Sequence, residues 1–237
     1  MAANLKRLEG VQERLYAEST RSVLLVLQGM DTSGKDGTVK HVFSGVNPAG
    51  VRMIAFKQPT PEERKHAFLW RIRRALPRPG ELGIFNRSHY EDVLVVRVHS
   101  LVPEPVWQKR YAAINRFEEE VAASGTAILK CFLHMSYDEQ RSRLLARLDD
   151  PTKHWKFREN DIDERRLWPQ YQAAYSDAVE RCSTATAPWY VVPSDRKWYR
   201  NWAIGSMLVE TLGEMDPRYP DPGLDFERLR QRLVPPN

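Results

Sequence analysis

Gly29-Met30-Asp31-Thr32-Ser33-Gly34-Lys35-Asp36-Gly37 sets two glycines around four residues and a lysine directly after the second. That spacing suits a phosphate cradle. Glycines let backbone N–H groups converge on phosphate oxygens, the start of a following helix adds partial positive charge, and Lys35 adds a full one. Gly29, Thr32, Ser33, Gly34, Lys35, Asp36 and Gly37 are therefore candidate phosphate-binding residues. The hydroxyl residue that usually follows the lysine and binds Mg²⁺ is replaced by Asp36, and a second acid, Asp31, lies inside the loop. Two carboxylates would repel an anionic substrate unless a cation lay between them. Mg²⁺ held by Asp31 and Asp36 is the expectation. The motif alone leaves ordinary nucleotide hydrolases open, and the plain alternative is a glycine-rich turn that binds nothing.

Gly83-Ile84-Phe85 reads as a short strand opening onto Asn86-Arg87-Ser88-His89-Tyr90-Glu91-Asp92. Ligands of open α/β sheets sit at such strand ends. Arg87 can fork two hydrogen bonds onto a phosphate. An acid commonly supports the metal at this place; Asn86 stands here, so the metal must rely on Asp31, Asp36, water and Glu91. His89 reads as a hydrogen-bonding or structural residue. Lys57 and the basic run Arg64, Lys65, Arg71, Arg73 and Arg74 form either a solvated face or a polyanion site, with Lys57 and Arg71 the phosphate candidates. Arg147 to Arg158 is basic, aromatic and broken by Pro151, as expected of a flap that closes over phosphates. Arg147, Lys153 and Lys156 are its candidates, and the lid spans about residues 147–165.

The elements that must hold these groups follow from apolar periodicity. Val23 to Leu27 is an unbroken apolar run, hence a strand buried on both faces. Further strands are expected at Val51–Phe56, Gly83–Phe85, Thr126–His134 and Ala187–Pro193. Helices are expected at 4–20, at Asp36–Val46, from a Thr60/Glu63 capping box to Leu76, at Pro103–Ser124, after a Ser136/Glu139 capping box, at Asp161–Cys182, and from a Ser194-Asp195 cap to Leu212. Trp168, Tyr171 and Tyr175 recur with helical spacing, more a core stripe than a base-stacking platform. The tail, 213–237, is proline-rich with one helical piece at Leu224–Leu233. Strands alternating with helices predict a single α/β domain over 1–237, three layers thick (α/β/α), with a five-stranded parallel sheet and a helical lid.

With 42% hydrophobic and 28% charged residues the chain is neither disordered nor membrane-embedded in composition. The net charge of +5 is mild, so the placement of charge matters more than its sum. Two cysteines, Cys131 and Cys182, make no disulfide framework or metal spacing and fit a reducing compartment. The start lacks an apolar core of signal-peptide length, and a cytoplasmic location is the expectation.

Four segments in order, GMDTSGKDG, FNRSHYEDVLVVRVH, DDPTKHWKF and APWYVVPSDRKWYRNW, resemble polyphosphate kinase 2 over about residues 5–212. The resemblance implies a P-loop kinase-like fold similar to thymidylate kinase. It also implies reversible phosphoryl transfer between inorganic polyphosphate and AMP, ADP or ATP, with Mg²⁺. By the same resemblance Asp31, Lys35 and Asp36 fall on the first motif, and Arg147, Lys153 and Lys156 on the lid. Asn86, Arg87 and Glu91 fall on the second motif, as candidate nucleotide-binding residues. Asp31, Lys35, Arg87 and Arg147 become the catalytic candidates. The Asn-Arg-Ser-His-Tyr-Glu-Asp form resembles the third subgroup, which accepts AMP as well as ADP. The expected partners are these substrates and further copies of the chain, as homodimer or homotetramer, with no nucleic acid and no membrane. The rival readings are an ATP-dependent nucleotide kinase of the same fold and a non-catalytic polyanion-binding protein.

Overall fold

The computed structural model describes residues 2–233, so the end of the expected tail, 234–237, lies outside the described residues. Its centre is strand β1, Ser22–Gln28, in which all seven residues are buried. Alternation along this apolar run sends Leu24 and Val26 into one core, and Val23, Leu25 and Leu27 into a second. A strand with no polar face must be covered on both sides, and it is.

In chain order the elements are α1 (Ala2–Glu18), β1, α2 (Lys35–Val42), β2 (Val51–Ala55), α3 (Trp70–Ala75), β3 (Leu82–Asn86), α4 (Val95–Val98), α5 (Glu104–Ala123), β4 (Thr126–His134), α6 (Tyr137–Leu148), α7 (Asn160–Arg166), α8 (Trp168–Cys182), β5 (Trp189–Pro193), α9 (Lys197–Met215) and α10 (Phe226–Arg232). The sheet has five strands in the order β2-β3-β1-β4-β5, every pair parallel. Ile72 of α3, Ile114 and Phe117 of α5, and Tyr175 of α8 cover one face. Leu8 and Leu15 of α1, Val42 of α2, and Ile204 and Leu208 of α9 cover the other. The expected three-layer α/β architecture is present. From β1 the chain first runs to the β3–β2 side and then to the β4–β5 side, so the crevice where the order switches lies at the carboxyl end of β1. No described helix is long and apolar enough to cross a membrane.

Several expected boundaries differ. The Thr60/Glu63 capping box forms, with Thr60 N–H to Glu63 Oε2 at 2.8 Å and Glu63 N–H to Thr60 Oγ1 at 3.2 Å. It starts only one 3₁₀ turn, Glu63–Lys65, with no buried residue, and the α-helix begins at Trp70, where Arg71, Ile72 and Ala75 are buried. A helix that reaches only water lacks the packing that sustains it. The expected helix over 161–182 is two, divided at Leu167. Pro169 has no N–H to continue the ladder and sits in the first turn of α8. Trp168 stays half-buried, while Tyr171 and Tyr175 are core residues. The short α4 was not expected.

Ser194 and Asp195 do not cap α9, which starts at Lys197 without a side-chain cap. Ser194 Oγ donates to Val192 O (3.1 Å), and Asp195 Oδ1 accepts from Ser136 N–H (2.8 Å). Ser136 does cap α6, accepting from Glu139 N–H at 3.2 Å. Because Asp195 occupies the Ser136 N–H, the Glu139 carboxylate turns instead to Arg143 Nε at 2.7 Å.

Candidate active site

The loop after β1 is shaped by close approach. A Cβ on Gly29 would lie 2.7 Å from Ser33 Oγ and 2.8 Å from Leu133 O. Gly34 has φ 102°, and a Cβ there would overlap Arg200 Nη1. Thr32 also takes a positive φ, 68°. The turn delivers Lys35 at the first position of α2, where its Nζ donates to Gly29 O (2.6 Å) and Met30 O (3.3 Å). Burial, with the Arg87 charge adding to it, brings the Lys35 ammonium down to about 8. Most of these side chains remain charged at neutral pH.

Two arginines brace the loop from behind, and neither was a sequence candidate. Arg143 of α6 donates from Nη1 to Thr32 O (2.9 Å) and Ser33 O (3.2 Å), and from Nη2 to Ser194 O (2.6 Å). Arg200 of α9, 2% exposed, donates to Ser33 O at 3.1 Å. Burial, then the neighbouring Arg143, brings Arg200 down to about 10. The sequence carries one signal for Arg200: it falls on the same face of α9 as Ile204 and Leu208, where a charge needs a reason. Arg143 carries none, since its spacing from Glu139 reads as an ordinary helical ion pair.

From β3 come Asn86 and Arg87. Arg87 extends the ladder through its N–H to Leu27 O (3.0 Å) and then takes φ 63°, uncommon for a residue with a side chain. That turn sends its guanidinium across the crevice to Asp31 Oδ1 at 2.6 Å, with Glu91 Oε2 at 3.5 Å. Burial works against the Arg87 charge, but Glu91 and Asp31 outweigh it and raise its pKa. Burial likewise opposes ionisation of Asp31, and Arg87, then Lys35 and Arg147, overcome it, so its carboxyl sits below the usual range. Asn86 Nδ2 donates to Asp36 Oδ1 at 2.6 Å. An acid in place of Asn86 would oppose Asp36 with a like charge; the amide instead orients it. The fold thus brings Asp31, Lys35, Asp36, Asn86, Arg87 and Glu91 to the ends of β1 and β3. Such a cluster can bind phosphates and neutralise charge that develops between them.

The sequence profile of the family described as Polyphosphate kinase 2 matches residues 1–220. This chain belongs to that family. It is 56% identical over 224 residues to the AMP/ADP-polyphosphate phosphotransferase of Meiothermus ruber, covering 94% of this chain and 84% of that one. It is 42% identical over 246 residues to the ADP-polyphosphate phosphotransferase of Rhodopseudomonas palustris, covering 98% of this chain and 85% of that one. The crystal structure of polyphosphate kinase 2 from Arthrobacter aurescens TC1 superposes with a TM-score of 0.96 at 46% identity, covering 98% of this chain and 83% of that one.

In this chain the remaining candidates lie around the cluster rather than in it. Arg147 Nη1 donates to Lys156 O (3.2 Å) and faces Asp161 Oδ2 (3.5 Å), which ties α6 to the turn Pro151–Lys156 and to α7. Lys153 and Lys156 are exposed on the turn Pro151–Lys156; Lys153 pairs with Asp150 at 2.6 Å, and Lys156 Nζ lies 4.9 Å from the centre of the exposed Trp155 ring. Arg71 is buried, donating to Lys57 O at 2.8 Å with its guanidinium 5.4 Å from the Phe56 ring centre, while Lys57 itself is exposed. His89 is buried and bonds Glu118 at 3.1 Å. Two surface cavities, about 470 and 610 Å³, share Trp198 and Tyr199 and flank the start of α9 rather than the phosphate loop. The loop's position at the strand switch and its charged groups make it the candidate chemical centre.

Proposed function

We propose that this chain transfers a phosphoryl group reversibly between inorganic polyphosphate and AMP or ADP. The observation that carries the reading is the meeting of Asp31, Lys35, Asp36 and Arg87 at the β1–β3 switch. The names of its close relatives support it.

The donor carries about one negative charge per phosphate, so its affinity falls with salt as counterion release requires. The transferred group passes through a loose transition state, and most of the rate comes from positioning and charge neutralisation. Lys35 and the start of α2 hold donor phosphate. Arg87 forks onto the group in transfer, and Arg147 adds charge as the lid closes. Lys153 and Lys156 clamp the phosphate chain, with Lys57 and Arg71 at its periphery, and closure excludes water that would otherwise take the phosphoryl group. The acceptor phosphate has a second pKa of about 6, so its oxygen is already ionised at neutral pH and needs no strong base. Asn86 and Glu91 line the nucleotide side, Glu91 suiting it to a monophosphate.

Asp31 and Asp36 would hold Mg²⁺. In this proposal the ion takes the two carboxylates and completes its shell with water and phosphate. When bound, the ion supplies the charge that lets two anionic substrates share the crevice. Assembly as a homodimer or homotetramer in the cytoplasm, without nucleic-acid or membrane partners, belongs to the same proposal.

The experiment is a side-by-side comparison of donors: AMP and Mg²⁺ with polyphosphate or with ATP. Faster ADP formation from polyphosphate is expected; transfer from ATP alone would favour a nucleotide kinase, and binding without turnover a polyanion-binding protein.

A further inference from the structure

Behind the second motif lies a buried charged cluster that the mechanism above does not use. Lys130 of β4 is 0% exposed and Glu118 of α5 is 1% exposed, with Nζ and Oε2 2.5 Å apart. The other Glu118 oxygen, Oε1, accepts from Tyr90 OH (2.9 Å) and His89 Nε2 (3.1 Å). Lys130 also donates to Tyr90 OH (2.8 Å) and Cys182 O (2.7 Å), so its three N–H donors are all used. Ser88 is held as well, its Oγ accepting from Gln28 Nε2 at 3.0 Å and from Tyr90 N–H at 3.2 Å.

A buried ion pair is poor evidence of stability, because well-packed apolar residues often do as well in its place. What this one does have is a geometric consequence. His89 and Tyr90 follow Arg87 almost directly, and Arg87 holds a left-handed backbone conformation, φ 63°, that is strained for a residue with a side chain and persists only where its surroundings enforce it. The residues after it are anchored to β1, α5, β4 and the end of α8 together.

We propose that Glu118 is a positioning residue for Arg87: its Oε1 fixes, through Tyr90 and His89, the turn that aims the guanidinium across the crevice, and Lys130 balances its buried charge. The proposal rests on the role of Arg87 given above.

Two double variants test it. Glu118→Gln with Lys130→Met removes both charges but leaves a carbonyl oxygen for Tyr90 and His89. Glu118→Leu with Lys130→Met removes charges and oxygen alike. The first keeps kcat within about threefold of wild type; the second loses about tenfold or more in kcat, with KM for AMP and polyphosphate within about twofold. Only in the second do the backbone amides of residues 87–92 exchange faster with solvent. In an Arg87→Ala background the second pair lowers activity no further. Should the leucine variant not fold, Tyr90→Phe takes its place, with a kcat loss that again vanishes in the Arg87→Ala background. Equal kcat in the two double variants, or full additivity with Arg87→Ala, overturns the assignment. A wild-type protein inactive with polyphosphate would defeat the proposed function instead, and amide exchange would still decide whether the cluster anchors the turn.

Discussion

The Arg87 guanidinium reaches the Asp31 carboxylate across 2.6 Å, joining the end of β3 to the phosphate loop. In the proposed mechanism one residue of this pair neutralises phosphate directly and the other holds the cation that does so. Arg87→Lys keeps the charge but loses the planar fork, and the account expects kcat to fall about a hundredfold with little change in melting temperature. Steady-state kinetics with AMP as acceptor, beside a thermal melt, checks this.

Asp31→Asn separates a metal role from a base role. With an ionised acceptor no base is needed, so the variant's deficit should shrink substantially as Mg²⁺ is raised. A deficit that stays constant across the titration would assign Asp31 to proton transfer instead.

Gly34→Ala places a methyl group against Arg200 at a φ of 102°. Stability should drop by about 2 kcal/mol or more, and turnover with it. Gly213→Ala is the contrast: nothing lies within 4 Å of its Cβ position in α9. There the expected change is a gain of about 0.5–1 kcal/mol. Urea midpoints at unchanged slope measure both.

Glu18 at the end of α1 accepts from Arg21 Nε and Nη2, both at 2.8 Å, and from Arg218 N–H at 3.2 Å, tying the C-terminal tail to α1. The Arg21 hydrogen bonds hold its carboxyl at about 2 against an ordinary 4.5. A depressed folded-state pKa contributes stability that is complete above 4.5 and is lost as pH falls toward 2. With Arg21 partly exposed and screened, the contribution is about 1 kcal/mol. Glu18→Gln should therefore be less stable than wild type at pH 7, and the gap should close by about pH 2 as the wild-type carboxylate is protonated. A gap unchanged across that range would contradict this account of the carboxylate.

The phosphate loop and the β3 turn were legible because each is a local pattern: a strand, a glycine turn and charges within a few residues. The sheet was legible for the same reason, since buried parallel strands read as apolar runs. What the sequence hid was set at long range. Arg143 and Arg200 reach loop carbonyls from α6 and α9, over 110 and 167 residues of chain. Asp195 serves α6 rather than its own helix because the fold brings Ser136 N–H to it. The capping box at Thr60 forms, yet it carries only one turn, because a cap starts a helix and burial sustains it. Pro169 is a local signal of the break: it lacks the N–H that would continue α7 and sits in the first turn of α8.

The most direct measurement follows phosphorus during incubation of purified protein with AMP, Mg²⁺ and polyphosphate, with ATP and ADP absent. The account predicts that each phosphorus lost from polyphosphate reappears as a β-phosphate of ADP or a β- or γ-phosphate of ATP, and that thorough chelation stops both processes. No ADP or ATP formed, or equal turnover after chelation, would contradict it.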